Sequence, residues 1–262
     1  MARARGRRRN RGDAPGCHGI GVRAARLISL KRKTLFLRLA KVLNEEQLAT
    51  VRASLNSETA PWVDGRVTAG HQGVQVKNNR QLDEASPMAR ELGNFVLAQL
   101  ERHPLFISAV LPNKVYPPMF NRFCAGMHFG THVDGSVRMF PGSPQKLRTD
   151  LSATLFLAAP ESYDGGELVV ESDLGSQSAK LAAGDLLVYS STMRHRVNAV
   201  TGGERLASVF WVQSLVRDDA QRAQLFELDG TIQRLTQRGA DPESLVRLTA
   251  HYHALLKNWS QI

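Results

Sequence analysis

The fold is decided by residues 151–212, LSATLFLAAPESYDGGELVVESDLGSQSAKLAAGDLLVYSSTMRHRVNAVTGGERLASVFWV. The apolar or alternating runs of this stretch are short, and glycine turns such as Asp164-Gly165-Gly166 and Thr201-Gly202-Gly203 separate them. Because consecutive short strands at this spacing are typical of antiparallel β architectures, the stretch predicts a sandwich or jelly roll rather than alternating βαβ units.

The same texture extends on both sides of this stretch, from Leu105 to Val216. Turn signals such as Pro112-Asn113 and Pro141-Gly142 separate further runs upstream. The runs predicted as strands are 105–111, 119–124, 151–158, 167–171, 178–181, 186–189, 194–200 and 205–212.

Helical patterns flank the β region. An Asn-x-x-Gln capping box at 44–47 opens a helix to about Leu55, and a second amphipathic helix is predicted over 83–102. After 217 the helical period returns over 222–238, and Asp-Pro-Glu at 241–243 opens a last helix to about Trp259. The predicted fold class is α+β with a mainly β core, a double-stranded β-helix (jelly roll) flanked by N-terminal helices and a small C-terminal helical appendage.

This organisation divides the chain into four parts. We expect a disordered basic extension at 1–33, a helical and loop support region at 34–104, the β core at 105–216 and a C-terminal helical region at 217–262. The 262 residues suffice for one catalytic domain with a small appendage.

The net charge of +10 belongs to the N-terminal extension. Residues 1–33 contain eleven Lys or Arg and one acid, whereas the other 229 residues contain 23 basic and 23 acidic side chains. The extension has no apolar period that could support a core. Since the body is neutral and offers no basic groove, the charge distribution argues against a nucleic-acid partner.

Cysteine content and hydropathy bear on location. Only Cys17 and Cys124 occur, which excludes a disulfide framework or a cysteine metal cage. No apolar run reaches the length of a membrane span, and we expect no membrane partner. A reducing cytoplasm fits this composition, so we expect a cytoplasmic location.

Three metal-ligand side chains lie at the two ends of the β region. In GTHVDG at 130–135, His132 and Asp134 are two positions apart, so on an extended segment they face the same side. His195 follows 61 residues after Asp134. Two imidazoles and one carboxylate occupy one face of an iron(II) octahedron and leave the other face open, although zinc accepts the same ligands.

Arg205 narrows the choice of chemistry. It follows His195 by ten residues, across a turn, so both side chains can enter one cavity from adjacent antiparallel strands. An inward guanidinium needs an anionic partner, because a buried charge without one is very costly. A dicarboxylic oxo-acid that chelates the metal with one end would offer that partner with its other end.

The pattern His-x-Asp … His … Arg resembles the prolyl-hydroxylase-like 2-oxoglutarate dioxygenases, and more closely the bacterial PKHD-type hydroxylases. The resemblance covers about residues 35–262 and leaves out the basic extension. Six segments carry the closer resemblance: WVDGRVT at 62–68, QVKNN at 75–79, RTDLSATLFL at 148–157, SYDGGEL at 162–168, RDD at 217–219 and LFELD at 225–229.

The resemblance implies a double-stranded β-helix with Fe²⁺ on His132, Asp134 and His195, and 2-oxoglutarate bound through Arg205. It implies an enzyme that hydroxylates an unidentified substrate with dioxygen and releases succinate and CO₂. It further implies L-ascorbate (vitamin C) as the reductant of the iron, and a link to iron uptake or homeostasis. Phe129 stands where relatives often have tyrosine, which leaves its effect on 2-oxoglutarate binding open.

Two alternative functions stay open at this point. A non-enzymatic iron-binding or iron-sensing β-barrel would bind the metal without consuming 2-oxoglutarate. A nucleic-acid demethylase would use the same chemistry and is suggested by the basic extension, against the neutral body. The sequence names neither the hydroxylated substrate nor the oligomeric state.

Overall fold

The computed structural model describes residues 36–172 and 175–262; the predicted basic extension at 1–33 lies outside them. Five α-helices occur in this part of the chain: α1 (Glu45–Leu55), α2 (Pro87–Leu100), α3 (Pro104–Val110), α4 (Asp219–Gln237) and α5 (Pro242–Trp259). The strands are β1 (Phe36–Leu39), β2 (Trp62–Asp64), β3 (Lys77–Asn78), β4 (Arg80–Leu82), β5 (Pro112–Val115), β6 (Met119–Phe123), β7 (His128–His132), β8 (Val137–Met139), β9 (Lys146–Arg148), β10 (Leu151–Phe156), β11 (Tyr163–Gly165), β12 (Leu168–Ser172), β13 (Gly175–Ala179), β14 (Leu186–Ser190), β15 (Arg194–Val197), β16 (Val200–Gly203) and β17 (Arg205–Ser214).

Two antiparallel sheets form the core. The larger sheet has the order β1-β14-β10-β17-β6-β4-β2, with β5 also paired to β17. The smaller sheet has the order β13-β12-β15-β7-β3, and the ribbons β11-β16 and β8-β9 complete the strands. This confirms the predicted fold class, a mainly β core of the double-stranded β-helix type flanked by helices.

The two sheets face each other across a shared apolar cluster. On β14, Leu187 and Tyr189 pack in one cluster with Leu168 and Val170 of the smaller sheet. Leu186 and Val188 of the same strand point the other way, into the cluster that the helices cover. The alternation of side chains along a strand therefore gives the larger sheet one face toward the second sheet and one toward the helices.

Strand β10 is buried along its whole length because both of its faces are covered. Its odd-numbered residues Leu151, Ala153 and Leu155 pack in the cluster under the helices. The intervening Ser152 and Thr154 are polar yet buried, and both line the cavity between the sheets. A continuous buried run thus carries polar side chains to the interior of the barrel.

The N-terminal helices begin where their capping residues dictate. In α1 the predicted capping box is confirmed, with Asn44 Oδ1 accepting from Gln47 N at 2.9 Å and Gln47 Oε1 accepting from Asn44 N at 2.8 Å. The second helix starts at Pro87 rather than at the predicted residue 83, because the Ser86 hydroxyl accepts from Ala89 N at 3.1 Å and Pro87 occupies the first turn.

The predicted strand at 105–111 is wrong, since these residues form the helix α3. His103 caps its first turn by accepting from Phe106 N at 3.3 Å, and a proline follows the cap. Leu111 ends the helix in the left-handed region at φ 48°. The apolar residues Phe106, Ala109 and Val110 are buried at helical spacing, a pattern too short to separate from a buried strand by sequence.

Four short strands, β1 to β4, lie in the part of the chain expected to be only helical and loop support. Strand β1 adds to β14 at one edge of the larger sheet, and β4 adds to β6 near the other edge. Strand β3 pairs with β7 of the smaller sheet through Lys77 and Asn78. Strands of two to four residues are too short to show a period, which explains why the sequence did not indicate them.

The last two helices pack against each other and against the end of the β core. Leu225 of α4 is fully buried against Leu111 and Val216, and Trp259 of α5 packs on the same cluster. Arg222 is buried below them and donates to the carbonyl oxygens of Val216 and Arg217 as well as to Asp219. None of the helices in the described residues combines the length and the apolar character that crossing a membrane requires.

Candidate active site

His132, Asp134 and His195 converge at one end of the smaller sheet. His132 is the last residue of β7, and His195 lies directly opposite it on β15 in the antiparallel register. Asp134 follows β7 by two residues. One potential ligand atom from each side chain lies within 4.8 Å of the other two, so a single metal ion can contact all three.

Each imidazole is oriented by a backbone carbonyl. His132 Nδ1 lies 2.8 Å from the Gly130 oxygen, and His195 Nδ1 lies 3.0 Å from the Met193 oxygen. With the proton on Nδ1 donated to these carbonyls, Nε2 of each ring carries the free lone pair. The Nε2 atoms of His132 and His195 lie 3.9 and 3.6 Å from the Asp134 carboxylate, which is the orientation that a shared cation needs.

Electrostatics keep these groups in the forms that bind a cation. Burial lowers the pKa of His132 to about 4, helped by the nearby His195, so its imidazole is neutral at neutral pH. Burial alone would raise the pKa of Asp134, but the electrostatic interaction with the adjacent His195 ring and the hydrogen bond from Ser152 Oγ, at 2.6 Å, bring it below its usual value. A neutral imidazole and an ionised carboxylate are the metal-binding states.

Aromatic rings support both imidazoles. Phe129 stacks on His132 with the ring centroids 3.6 Å apart and the planes at 14°. Tyr189 meets His195 edge-on with the centroids 5.2 Å apart. Phe129, to which the sequence assigned nothing, therefore fixes the plane of one ring of the cluster.

The three side chains open into a cavity of about 460 Å³ between the two sheets, a volume in the usual range for small-molecule sites. Apolar residues such as Phe123 and Leu168 line it together with a few polar groups. The charged side chains in its lining are one carboxylate and three cations: Asp134, Lys77, Arg138 and Arg205.

Arg205 is buried in this cavity with only 2% of its surface exposed. It is the first residue of β17, and its guanidinium lies 5.3 and 5.5 Å from the ring centroids of Phe123 and Phe156. Its Nε and Nη2 atoms have no hydrogen-bond partner, and no carboxylate of the described residues forms an ion pair with it. Burial lowers the pKa of Arg205, yet a guanidinium stays charged, so the cavity presents a cation that lacks an anion.

A glycine turn shapes the space beside Arg205. Gly165 and Gly166 have φ of 68° and 66°, a left-handed conformation that glycine adopts without strain, at the position where the sequence predicts a glycine turn. A Cβ on Gly166 would lie 3.1 Å from Arg205 Cδ and 2.9 Å from a methyl group of Val200. The turn that follows β11 therefore leaves room for the arginine side chain. The hydroxyl of Tyr163, the first residue of β11, is also buried without a hydrogen-bond partner.

Sequence reasoning missed several polar residues of the cavity. Lys77, Arg138, Thr154 and Tyr189 line it, but none belongs to a metal-ligand pattern. The one usable signal was alternation on β14, where Tyr189 has the same parity as the buried Leu187. Lys77 lies on a two-residue strand and gave no signal that would separate it from a surface lysine.

Two family models match the chain in the regions just described. Residues 118–213 match the 2OG-Fe(II) oxygenase superfamily, and residues 219–261 match the PKHD-type hydroxylase C-terminal domain. The β core with its His-Asp-His cluster and buried arginine is therefore that of a 2OG-Fe(II) oxygenase, an oxidoreductase that depends on Fe²⁺ and 2-oxoglutarate.

Similarity over nearly the whole length of known relatives narrows the family. The chain is 55% identical over 226 residues to a PKHD-type hydroxylase of Paraburkholderia phymatum, covering 86% of this chain and 99% of the relative. It is 56% identical over 227 residues to one of Paraburkholderia phytofirmans, covering 87% and 100%. The chain belongs to the PKHD-type hydroxylases, as the resemblance predicted.

Among solved structures, the chain is similar to a prolyl-4-hydroxylase of Pseudomonas putida. The TM-score is 0.47 and the sequence identity 19%, and the match covers 68% of this chain and 92% of that one.

Proposed function

We propose that His132, Asp134 and His195 hold the Fe²⁺ of this hydroxylase and that Arg205 binds the distal carboxylate of 2-oxoglutarate. The observation that carries the proposal is the buried guanidinium without an anion, which opens into the same cavity as the three potential ligand atoms. The enzyme then oxidises a C–H bond of a substrate whose identity the sequence leaves open.

The donor set fits ferrous iron. Two neutral imidazoles and one carboxylate on one side of a metal leave the opposite side free for a chelating oxo-acid and dioxygen. Zinc accepts the same three ligands, but zinc alone would leave the charge of Arg205 without a counter-ion. A dianionic co-substrate satisfies both ends of the cavity, which favours the iron and 2-oxoglutarate chemistry of the family.

When bound, Fe²⁺ and 2-oxoglutarate would together activate dioxygen. One oxygen atom would enter the C–H bond of the substrate, and the other would enter the succinate that forms from 2-oxoglutarate with release of CO₂. The residues of the chain bind and orient these groups. Arg205 fixes the distal carboxylate, and Phe123 and Phe156 shield that ion pair from water. Ser152 holds the Asp134 carboxylate toward the metal by its hydrogen bond.

Succinate formation tests this proposal directly. With Fe²⁺, 2-oxoglutarate and air, the wild-type protein should convert 2-oxoglutarate into equimolar succinate and CO₂ even without added substrate, at a slow uncoupled rate. Iron binding with no succinate under any condition would instead support the iron-sensing alternative. Zn²⁺ in place of Fe²⁺ is the matched control, since it occupies the same ligands without redox chemistry.

Gly166→Ala is expected to weaken 2-oxoglutarate binding about tenfold, because the added Cβ would press on the aliphatic part of Arg205 and turn its guanidinium away. The measurement is the apparent KM for 2-oxoglutarate in the succinate assay. Gly126→Ala is the matched control: its φ is 82°, but its Cβ would meet no atom within 4 Å. If both variants raised the KM for 2-oxoglutarate equally, the change would come from backbone strain rather than from the position of Arg205, and the prediction would be wrong.

The finer expectations stay predictions. L-Ascorbate as reductant, a link to iron uptake or homeostasis and a cytoplasmic location rest on the resemblance and on composition. The functional division into 34–104, 105–216 and 217–262 also stays a proposal. Ascorbate is the easiest to test, because it should extend the linear phase of succinate formation in the assay without raising its initial rate.

A further inference from the structure

Two cations in the cavity are left unused by the iron and 2-oxoglutarate sites. They are Lys77, on β3 within the segment QVKNN, and Arg138, on β8. Neither forms an ion pair with a carboxylate in the residues that the structure describes. Since unpaired charges inside a cavity are costly, their presence needs a reason.

Lys77 is buried, with 7% of its surface exposed. Both hydrogen-bond acceptors of its ammonium group are uncharged. Its Nζ lies 3.1 Å from Thr68 Oγ1 and 3.1 Å from Gln81 Oε1. It also lies 5.4 Å from the centroid of the Phe129 ring, which itself stacks on His132. One aromatic ring therefore separates this cation from the proposed metal centre.

Arg138 is held in place by aromatic rings rather than by an acid. Its guanidinium lies 4.0 Å from the ring of Trp211 and 4.8 Å from that of Tyr116, and its Nε is buried without a partner. The Tyr116 and Trp211 rings contact each other edge-on and belong to one buried cluster. Such packing fixes the direction of the guanidinium. Its Nη2 donates to Met119 Sδ at 4.0 Å, a neutral acceptor, so the charge itself has no anionic partner.

The two cations influence each other. Burial and the positive charge of Arg138 lower the pKa of Lys77 to about 8, so at neutral pH the lysine remains mostly charged. The carboxylate of Glu84 reaches this region only through neutral groups, accepting from Gln81 Nε2 at 3.1 Å and from the Tyr116 hydroxyl at 3.1 Å. Glu84 therefore offsets part of this positive charge, but no carboxylate of the described residues forms an ion pair with either cation.

The charge balance of the complete site points to the missing anion. With both groups bound as proposed, the two positive charges of Fe²⁺ balance the two negative charges of 2-oxoglutarate. The negative charge of Asp134 likewise balances the positive charge of Arg205. Lys77 and Arg138 then remain as positive charges in the cavity lining, and the carboxylate of Glu84, which lies outside that lining, offsets at most one of them. An anion brought by the second substrate would neutralise them.

We propose that Lys77 and Arg138 form the recognition site for a carboxylate of the substrate that is hydroxylated. The inference rests on the proposed function, because it assumes that Arg205 is occupied by 2-oxoglutarate. The substrate is then an acid whose carboxylate binds at Lys77 and Arg138 while a nearby C–H bond faces the metal. Both a free acid and an acidic side chain of a peptide carry this chemistry.

The test uses full-length protein loaded with Mn²⁺, which occupies iron sites without turnover and relaxes nearby protons. Adding 2-oxoglutarate should first lower the water proton relaxation rate, because the chelator displaces bound water. If this step fails in the wild type, the proposed function fails, whatever the substrate. If it succeeds, carboxylate binding is measured on the saturated complex.

Matched probes then separate charge from shape. N-acetylglycine carries a free α-carboxylate, N-acetylaspartic acid α-amide carries only a side-chain carboxylate, and N-acetylglycinamide carries none. We expect the metal to relax the methyl protons of at least one acid, with an affinity at least about tenfold above that of the neutral amide. Which acid binds better distinguishes a free acid from an acidic side chain.

Variants assign the effect to the two cations. Lys77→Met and, independently, Arg138→Met should each weaken binding of the acid at least about tenfold and leave the weak binding of the amide unchanged. Lys114→Met, which removes an exposed lysine of β5 outside the cavity, should bind the acid as the wild type does. Equal binding of acid and amide by the wild type, or full acid binding by both cavity variants, would overturn the inference.

Discussion

Replacing His132 with alanine is expected to abolish Fe²⁺ binding at the site and, with it, the consumption of 2-oxoglutarate. His132 Nε2 is one of three potential ligand atoms within 4.8 Å of one another, and its loss leaves the metal with only two of the three ligands of a facial set. Loss of a residue that merely orients a ligand costs about 10- to 100-fold in affinity, so loss of the ligand itself should exceed about 100-fold. Calorimetric titration with Fe²⁺ under anaerobic conditions measures this change.

His128→Ala is the control for this variant. His128 begins the same strand, β7, but its side chain is exposed and lies outside the cavity lining. Its replacement should leave iron affinity and succinate formation at wild-type values. Retained iron affinity in His132→Ala, with the protein folded, would remove His132 from the proposed metal site.

Replacing Arg205 with alanine should raise the apparent KM for 2-oxoglutarate by about 30-fold or more while some iron stays bound. Leaving one buried charge without its partner costs about 2 kcal/mol or more, and a loss of 2 kcal/mol corresponds to about 30-fold in affinity. The proposed metal ligands lie outside β17, on β7, just after it and on β15, so iron affinity without 2-oxoglutarate should change little. The KM for 2-oxoglutarate and the Kd for Fe²⁺ together separate the two effects.

Thermal unfolding adds a second readout to the Arg205 prediction. Without 2-oxoglutarate, Arg205→Met should be at least as stable as the wild type, because the substitution removes a buried charge that has no counter-ion and keeps the packing on Phe123 and Phe156. With 2-oxoglutarate and metal present, the wild type should gain stability from 2-oxoglutarate, and Arg205→Met should not. Arg196→Met on β15 of the smaller sheet, where the arginine pairs with Glu171, is the control that should still respond to 2-oxoglutarate. An equal response of Arg205→Met would contradict the role of Arg205.

The fold class and the four residues proposed for the site could be predicted from the sequence. Both predictions depend on local strand geometry and on the order of the elements along the chain. Strand alternation places His132 and Asp134 on one side whatever the rest of the fold does. The expectation that His195 and Arg205 lie on adjacent strands is wrong, because β15 belongs to the smaller sheet and β17 to the larger. The two side chains still line one cavity, because the two sheets face each other across it.

Other features depend on tertiary contacts that no local pattern encodes. The apolar run at 105–111 satisfies a strand and a helix equally, and only the cap at His103 and its packing against the larger sheet decide for helix. The sequence assigned no role to Phe129, because its stacking on His132 depends on the tertiary structure. Lys77 resembles a surface lysine until β3 joins β7 and carries it into the cavity.

The most direct test of the central claim is anaerobic titration of the Fe²⁺-loaded protein with 2-oxoglutarate, followed by absorption spectroscopy. Bidentate chelation of iron by the oxo-acid at His132, Asp134 and His195 predicts a metal-to-ligand charge-transfer band that saturates at one equivalent of 2-oxoglutarate per iron. It should need much more 2-oxoglutarate in Arg205→Ala and be absent in His132→Ala. A wild-type protein that binds iron yet develops no band at any 2-oxoglutarate concentration would contradict the assignment of the site.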